Sequence, residues 1–311
     1  SQFSNILDKY YKFDEKLREK LIKLRDQIST KNDLDTFSDE LNDLEREITI
    51  FHSNIVSNIL SNYKEEVDLV GFHGQTIFHS AKHKISKQLG NGKLLSQLIK
   101  KKVVYDFRSA DLKDAGQGAP LTPIFHNLLV NKIYKKNKIK FPVNVLNIGG
   151  ISNITIVKEP VGSFGFTSRD IGPGNCLIDS WVRKNSKKKI DENGFLAAKG
   201  KRNEIIFEQA QELFSNRPNQ NVLSFDVNDF DVSFARGLSL EDGATTLTDF
   251  TASIIGEALM SISSNLKKNI SKVLICGGGR KNKVLIEKIK KNTLPSLIIQ
   301  SIDDYGVNGD H

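Results

Sequence analysis

After residue 66, short β-rich runs that stop at glycine or polar turns alternate with helical runs. That alternation restricts the chain to an α/β architecture with largely buried sheets. The strand-like runs are "VDLVGFHG" (67–74), "KVVYDFRSAD" (102–111), "VNVLNIGGISNITIV" (143–157), "KVLICGGGRKN" (272–282) and "SLIIQSI" (296–302). Helical runs lie between them at 174–185, 203–215, 246–266 and 282–291. In the run 246–266, Leu247, Phe250, Ile254 and Leu259 form the buried stripe. Upstream, Leu17, Leu21, Leu24 and Ile28 repeat at helical spacing. After a "STKND" break, Phe37, Leu41, Leu44, Ile48, Phe51 and Ile55 continue the period, with Ser38 or Asp33 as the cap of that second helix.

The Lys-rich passage 131–142 is the expected lobe boundary. The division that follows is 1–130 as a first lobe, 131–302 as a second and 303–311 as the start of a return to the first. The chain has 311 residues, 38% of them hydrophobic, enough for a substantial core. No apolar run reaches the ~18 residues of a membrane span, and no signal-peptide pattern opens the chain. A cytoplasmic protein without a membrane partner is expected. The net charge is +8, but the basic residues are scattered without interleaved aromatics, so a solvated surface is expected and no nucleic-acid partner. Cys176 and Cys276 lie in apolar runs and read as packed free thiols. Residue 1 is Ser and the last residues follow a Gly-Asp turn, so a fragment truncated at both ends is expected.

Four segments end a strand in a glycine or polar turn, where α/β proteins bind ligands. In "NIGGISNIT" (147–155), Gly149 and Gly150 permit close backbone approach, and Ser152 and Asn153 add polar groups. The segment reads as a phosphate cradle or as a plain hairpin. In "LICGGGRKN" (274–282), three glycines open a helix and suit a nucleotide or a crossover turn. "GFHGQTIFH" and "YDFRSADLKDAGQGAPLTPIFH" collect His73, Gln75, His79, Asp106, Arg108, Asp111, Asp114, Gln117 and His126. Such polar density suits a sugar, with Arg108 as a carboxylate fork or as the partner of Asp106 or Asp111. The histidine spacing argues against a metal site, and no metal ligand is assigned. Finally, Asp170 in "RDIGPGNCLIDSW" (169–181) is either a cap of the following helix or a general base.

Taken together and in order, "GFHGQT", "DFRSADLKDAGQGAPLTP", "NIGGISNIT", "DIGPGNCLIDSW", "GFLAAKG", "GLSLEDGATTLTDFTA", "CGGGRKN" and "DDYGVNGD" resemble the anhydro-N-acetylmuramic acid kinases. The resemblance runs from about residue 14 to the end. It implies the two-lobed actin-like ATPase (sugar kinase) fold with a cleft between α/β lobes, the first lacking its N-terminal strands. It implies ATP and Mg²⁺, hydrolytic opening of the 1,6-anhydro ring, and phosphorylation of O6 to give N-acetylmuramic acid 6-phosphate in peptidoglycan recycling. A homodimer is also implied. By the same resemblance Asp170 is the general base for water. His73, Gln75, Arg108, Gly118 and Ala119 line the sugar pocket. Gly149, Gly150, Ser152 and Asn153 form the second phosphate hairpin, Gly172, Gly174 and Asn175 also bind the nucleotide, and Gly277, Gly278 and Gly279 face adenosine. The family's "SGTSxDG" first phosphate hairpin is not found in this sequence, and Leu223 stands where the family carries a lysine. The alternative expectation is therefore a non-catalytic nucleotide- or sugar-binding relative, or an inactive fragment.

Overall fold

A computed structural model describes residues 6–114, 116–137, 139–159, 165–216, 225, 227–265 and 272–310. The chain divides into two compact units, Ser1–Leu121 and Thr122–His311.

Unit 1 begins with helices α1 (Glu15–Gln27), α2 (Lys31–Thr36) and α3 (Ser38–Asn62). Asp14 caps α1 by accepting from the Leu17 amide at 2.8 Å. Asp33 closes a capping box with Thr30 on α2, so it starts the short intervening helix rather than the long one. Leu17, Leu24, Ile28, Leu41, Leu44 and Ile48 bury against Ile77 and Leu89, as the helical spacing predicts. Strand β1 (Leu69–Phe72) is followed by the antiparallel hairpin β2 (Gln75–Ser80) and β3 (Ile85–Leu89). Helix α4 (Gly92–Ile99) then leads to β4 (Lys102–Tyr105), which pairs parallel with β1. The strand expected over 102–111 stops at Tyr105. Asp106 takes a left-handed conformation (φ 60°), which ends extended pairing and launches α5 (Phe107–Lys113).

Unit 2 opens with α6 (Thr122–Asn137), then β5 (Val143–Ile148), β6 (Ile151–Val157) and β7 (Phe166–Pro173). Helices α7 (Cys176–Asn185), α8 (Glu204–Ser215) and α9 (Leu240–Asn265) follow, then β8 (Lys272–Cys276), α10 (Lys283–Lys291) and β9 (Ile298–Ser301). The five strands lie in the order β7-β6-β5-β8-β9. β5, β6 and β7 are antiparallel neighbours, whereas β5, β8 and β9 run parallel. Leu146, Ile148, Ile154, Val273 and Ile275 share one core with Leu177, Trp181, Leu247, Ile255 and Leu285. Helix α6 contacts β6 and β7. Its His126 bonds Thr155, which alternates with Ile154 and so lies on the opposite sheet face. This packing draws the Lys-rich passage 131–142 into unit 2, and the division of the chain falls upstream of it. Residues 303–310 also belong to unit 2.

Candidate active site

Three glycine segments of unit 2 meet at the ends of β5, β7 and β8. The β5–β6 turn is Gly149–Gly150, where the Gly149 amide donates to Ile151 O at 3.2 Å. The turn's carbonyls receive the first amides of α7. Gly150 O accepts from Gly174 N at 2.8 Å and Cys176 N at 3.1 Å, and Gly149 O accepts from Asn175 N at 2.8 Å. The hairpin thus satisfies amides that the start of a helix leaves without intrahelical partners. A Cβ at Gly174 would lie 3.0 Å from Ser152 Oγ, which itself donates to Pro173 O at 3.3 Å. Gly172 is the register partner of Ser152. From β8, Gly277 turns left-handed (φ 80°), and a Cβ there would sit 2.6 Å from Ile148 O. A Cβ at Gly279 would come within 3.0 Å of Asn175 Nδ2. Gly278 faces open space, with nothing within 4 Å of an added Cβ.

Asp170 stands beside this junction, inside β7 and opposite Asn153 in the register. Its Oδ2 accepts from the Phe225 amide at 2.7 Å. Phe225 is in turn held among Phe214 and Phe230, with ring centroids 6.4 and 5.6 Å away. The helix-cap reading of Asp170 is corrected. The N-cap of α7 is Asn175, because β7 continues through Pro173 before the helix begins. Asn153 Oδ1 is buried without a hydrogen-bond partner.

In unit 1, Arg108 Nη1 donates to Gly118 O at 2.8 Å, while Asp111 Oδ2 accepts from Gly118 N at 2.7 Å. Arg108 and Asp111 therefore meet through the Gly118 backbone rather than as a direct ion pair. The Arg108 Nε is buried without a partner. His73 stacks on Phe107 at 6.4 Å, and burial, then the Arg108 charge, lowers its pKa. Gln75 opens β2, and Ala119 follows Gly118, which is left-handed (φ 69°) and 2.9 Å from Leu112 Cγ when given a Cβ. His73 thus lies within reach of the Arg108 charge, and Arg108 in turn bonds the Gly118 backbone.

His126 belongs to unit 2, where it is 4% exposed, with Nδ1 2.8 Å from Thr155 Oγ1, and burial pushes its pKa down to about 4. Burial pushes the thiols of Cys176 and Cys276 up to about 11 and 12, which fits inert packed cysteines. Among the described residues, no group of three or more His, Cys, Asp or Glu converges as a metal site, and no helix is long and apolar enough to cross a membrane. The motif reading passed over Phe225, whose contact with Asp170 joins distant parts of the chain. It also passed over Arg280, whose only sequence signal was a basic residue after the glycines and acids in "DDYGVNGD".

The family described as Anhydro-N-acetylmuramic acid kinase matches residues 1–311. The chain belongs to that family. A relative from Pelagibacter ubique, named anhydro-N-acetylmuramic acid kinase, is 50% identical over 100% of this chain and 81% of its own length. One of the same name from Zymomonas mobilis is 36% identical over 85% of this chain and 69% of its own. Among solved structures, the activator of the 2-hydroxyisocaproyl-CoA dehydratase from Clostridium difficile with bound ADPNP is matched at a TM-score of 0.38 and 13% identity. That match covers 67% of this chain and 62% of that one, a partial likeness. The chain is α/β in its described residues, and as a member of a kinase family it uses ATP. By the family's name it is a kinase of a small molecule, anhydro-N-acetylmuramic acid. The non-catalytic alternative gives way to this activity.

Proposed function

We propose that Asp170 is the general base of this kinase and that the junction beside it holds the nucleotide. The observation that carries this is the convergence in unit 2. Gly149 and Gly150 bond directly to Gly174, Asn175 and Cys176, and the Asp170 carboxylate lies on the adjoining strand. Asp170 takes a proton from water as the water oxygen bonds the anomeric carbon. The C1–O6 bond breaks, and O6 takes the γ-phosphoryl group of ATP, releasing ADP. Such a transfer rests on positioning and charge stabilisation. Gly149, Gly150, Ser152, Asn153, Gly172, Gly174 and Asn175 line the phosphate side.

Gly277, Gly278 and Gly279 lie against adenosine, and the open space at Gly278 fits a flat ligand. The unpartnered Asn153 Oδ1 fits a site completed by a ligand that donates a proton or carries a cation. Mg²⁺ bound with the ATP phosphates would neutralise their charge, beside the unpartnered Asn153 Oδ1. Within unit 1, His73, Gln75, Arg108, Gly118 and Ala119 bind the sugar. The unpartnered Arg108 Nε supports this assignment. The resemblance supports a cytoplasmic homodimer, which the mass in solution would test.

Asp170→Asn tests the central role. It should lower kcat by about 10²- to 10⁴-fold, the usual worth of a general base, with ATP affinity changed less than about twofold. Near-normal kcat in that variant would remove Asp170 from the chemistry.

A further inference from the structure

One guanidinium gathers three separated pieces of unit 2. Arg280 directly follows the three glycines, and its side chain is only 6% exposed despite its charge. Its Nε donates to Asp303 Oδ2 at 2.6 Å and its Nη2 to Asp303 Oδ1 at 3.2 Å. Its Nη1 donates to both Asp310 Oδ1 and, at 3.1 Å, Gly277 O. The acids it holds are themselves tied in place. Asp303 Oδ1 accepts from Gly309 N at 2.8 Å, and Asp310 Oδ2 takes Lys281 Nζ at 2.5 Å. The backbone closes the same ring, with Gly277 N donating to Gly309 O at 2.6 Å. A Cβ on Gly309 would come 2.6 Å from Arg280 Nε, so the two segments are in close contact.

Three successive glycines have more conformational freedom to lose on ordering than any other tripeptide. A loop that presents bare backbone to a ligand needs an external restraint to hold one geometry. The fork of Arg280 spans two carboxylates and a carbonyl at once. A lysine ammonium, with its donors on a single atom, cannot reach all three.

We propose that Arg280 is a positioning residue for nucleotide binding, fixing the Gly277–Gly279 loop to Gly309–Asp310 in its ATP-accepting geometry. The proposal rests on the reading of Gly277–Gly279 as the adenosine-facing loop.

The test measures dissociation constants by calorimetry on the full chain, for a non-hydrolysable ATP analogue and separately for the sugar. Arg280→Gln should weaken the ATP analogue by about tenfold or more, well within what an ångström of misplacement costs. Sugar affinity should change less than about twofold, and Arg280→Lys should fall between. Asp310→Asn, which removes one exposed arm, should shift ATP affinity in the same direction and serves if Arg280→Gln does not fold. A merely structural role would lower the melting temperature while leaving ATP affinity of the folded protein unchanged, and that result overturns the proposal.

Gly278→Ala separates the proposal from the reading beneath it. The protein has room for that methyl group, so only a ligand lying on the loop would feel it. If Gly278→Ala weakens the analogue and the Arg280 variants do not, Arg280 has no positioning role and the loop reading stands. If Gly278→Ala has no effect, the loop does not face the nucleotide, and both fall.

Discussion

His126 lies on α6 against the sheet that carries Asp170, and its buried neutral ring makes unit 2 sensitive to mild acid. Its Nδ1 lies 2.8 Å from Thr155 Oγ1, Thr155 lies 3.5 Å from Ser168 Oγ, and Ser168 donates to Ile154 O at 3.0 Å. Burial holds the imidazole at about 4 against an ordinary 6.5. The unfolded chain therefore takes up the proton first as pH falls. The stability contributed by neutral His126 is fully present above pH ~6.5, is lost progressively toward pH ~4, and is level below that. A shift of about 2.5 units corresponds to about 3 kcal/mol, of which about 2 kcal/mol is gone by pH ~5.

Asp179 works against this. Burial raises its pKa to about 6, so the folded state gains stability as it protonates over part of the same window. The observable is therefore a difference between wild type and His126→Asn, which keeps a donor near Thr155 but removes the titration. Urea unfolding followed by the fluorescence of Trp181, the single tryptophan and buried in unit 2, reads the relevant unit. Between pH 7.5 and 5, wild type should lose about 2 kcal/mol more than the variant. Parallel pH profiles for the two proteins would refute the argument.

Arg108→Gln should raise the KM for the sugar by about tenfold or more, with the KM for ATP unchanged, since it deletes a charged fork rather than a single neutral hydrogen bond. An unaltered sugar KM in steady-state assays would sink that role. Asn144 is fully buried in β5, and neither side-chain polar atom has a partner. Asn144→Leu should stabilise unit 2 by about 1–3 kcal/mol, read as a higher urea midpoint, because it removes an uncompensated desolvation cost. A lower midpoint would show that the site needs the amide.

Much of this fold is legible in local pattern. The helical stripes of α1, α3 and α9 appear in the chain as apolar residues at helical spacing, because one face of each is buried and one is not. The β5 run is buried at nearly every position, as expected for a strand covered on both sheet faces. Other elements leave no such trace. Helix α6 was not read as a helix, because His126 and Asn131 interrupt its buried face. β3, "ISKQL", has one fully buried residue at its end and depends on pairing with β2.

The alternation of strands and helices, the glycine turns at strand ends and the motif order that marks the family are all written in local sequence. Each of these follows from short-range physics: side-chain periodicity, backbone freedom at glycine, and polar caps. What those pieces do to one another follows from long-range packing. "FTSRDIGP" mixes polar and apolar residues, and pairing with β6 makes it a strand, which places Asp170 opposite Asn153 rather than at a helix cap. His126 sits among sugar-like motif residues in the sequence, yet α6 turns it into the sheet face of unit 2. Arg280 is one cation among 45 Lys and Arg in the chain, and becomes a clamp only because residues 303–310 return to it. Contacts between residues remote in sequence carry no local signature, since their energy depends on separations that exist only once the chain has folded.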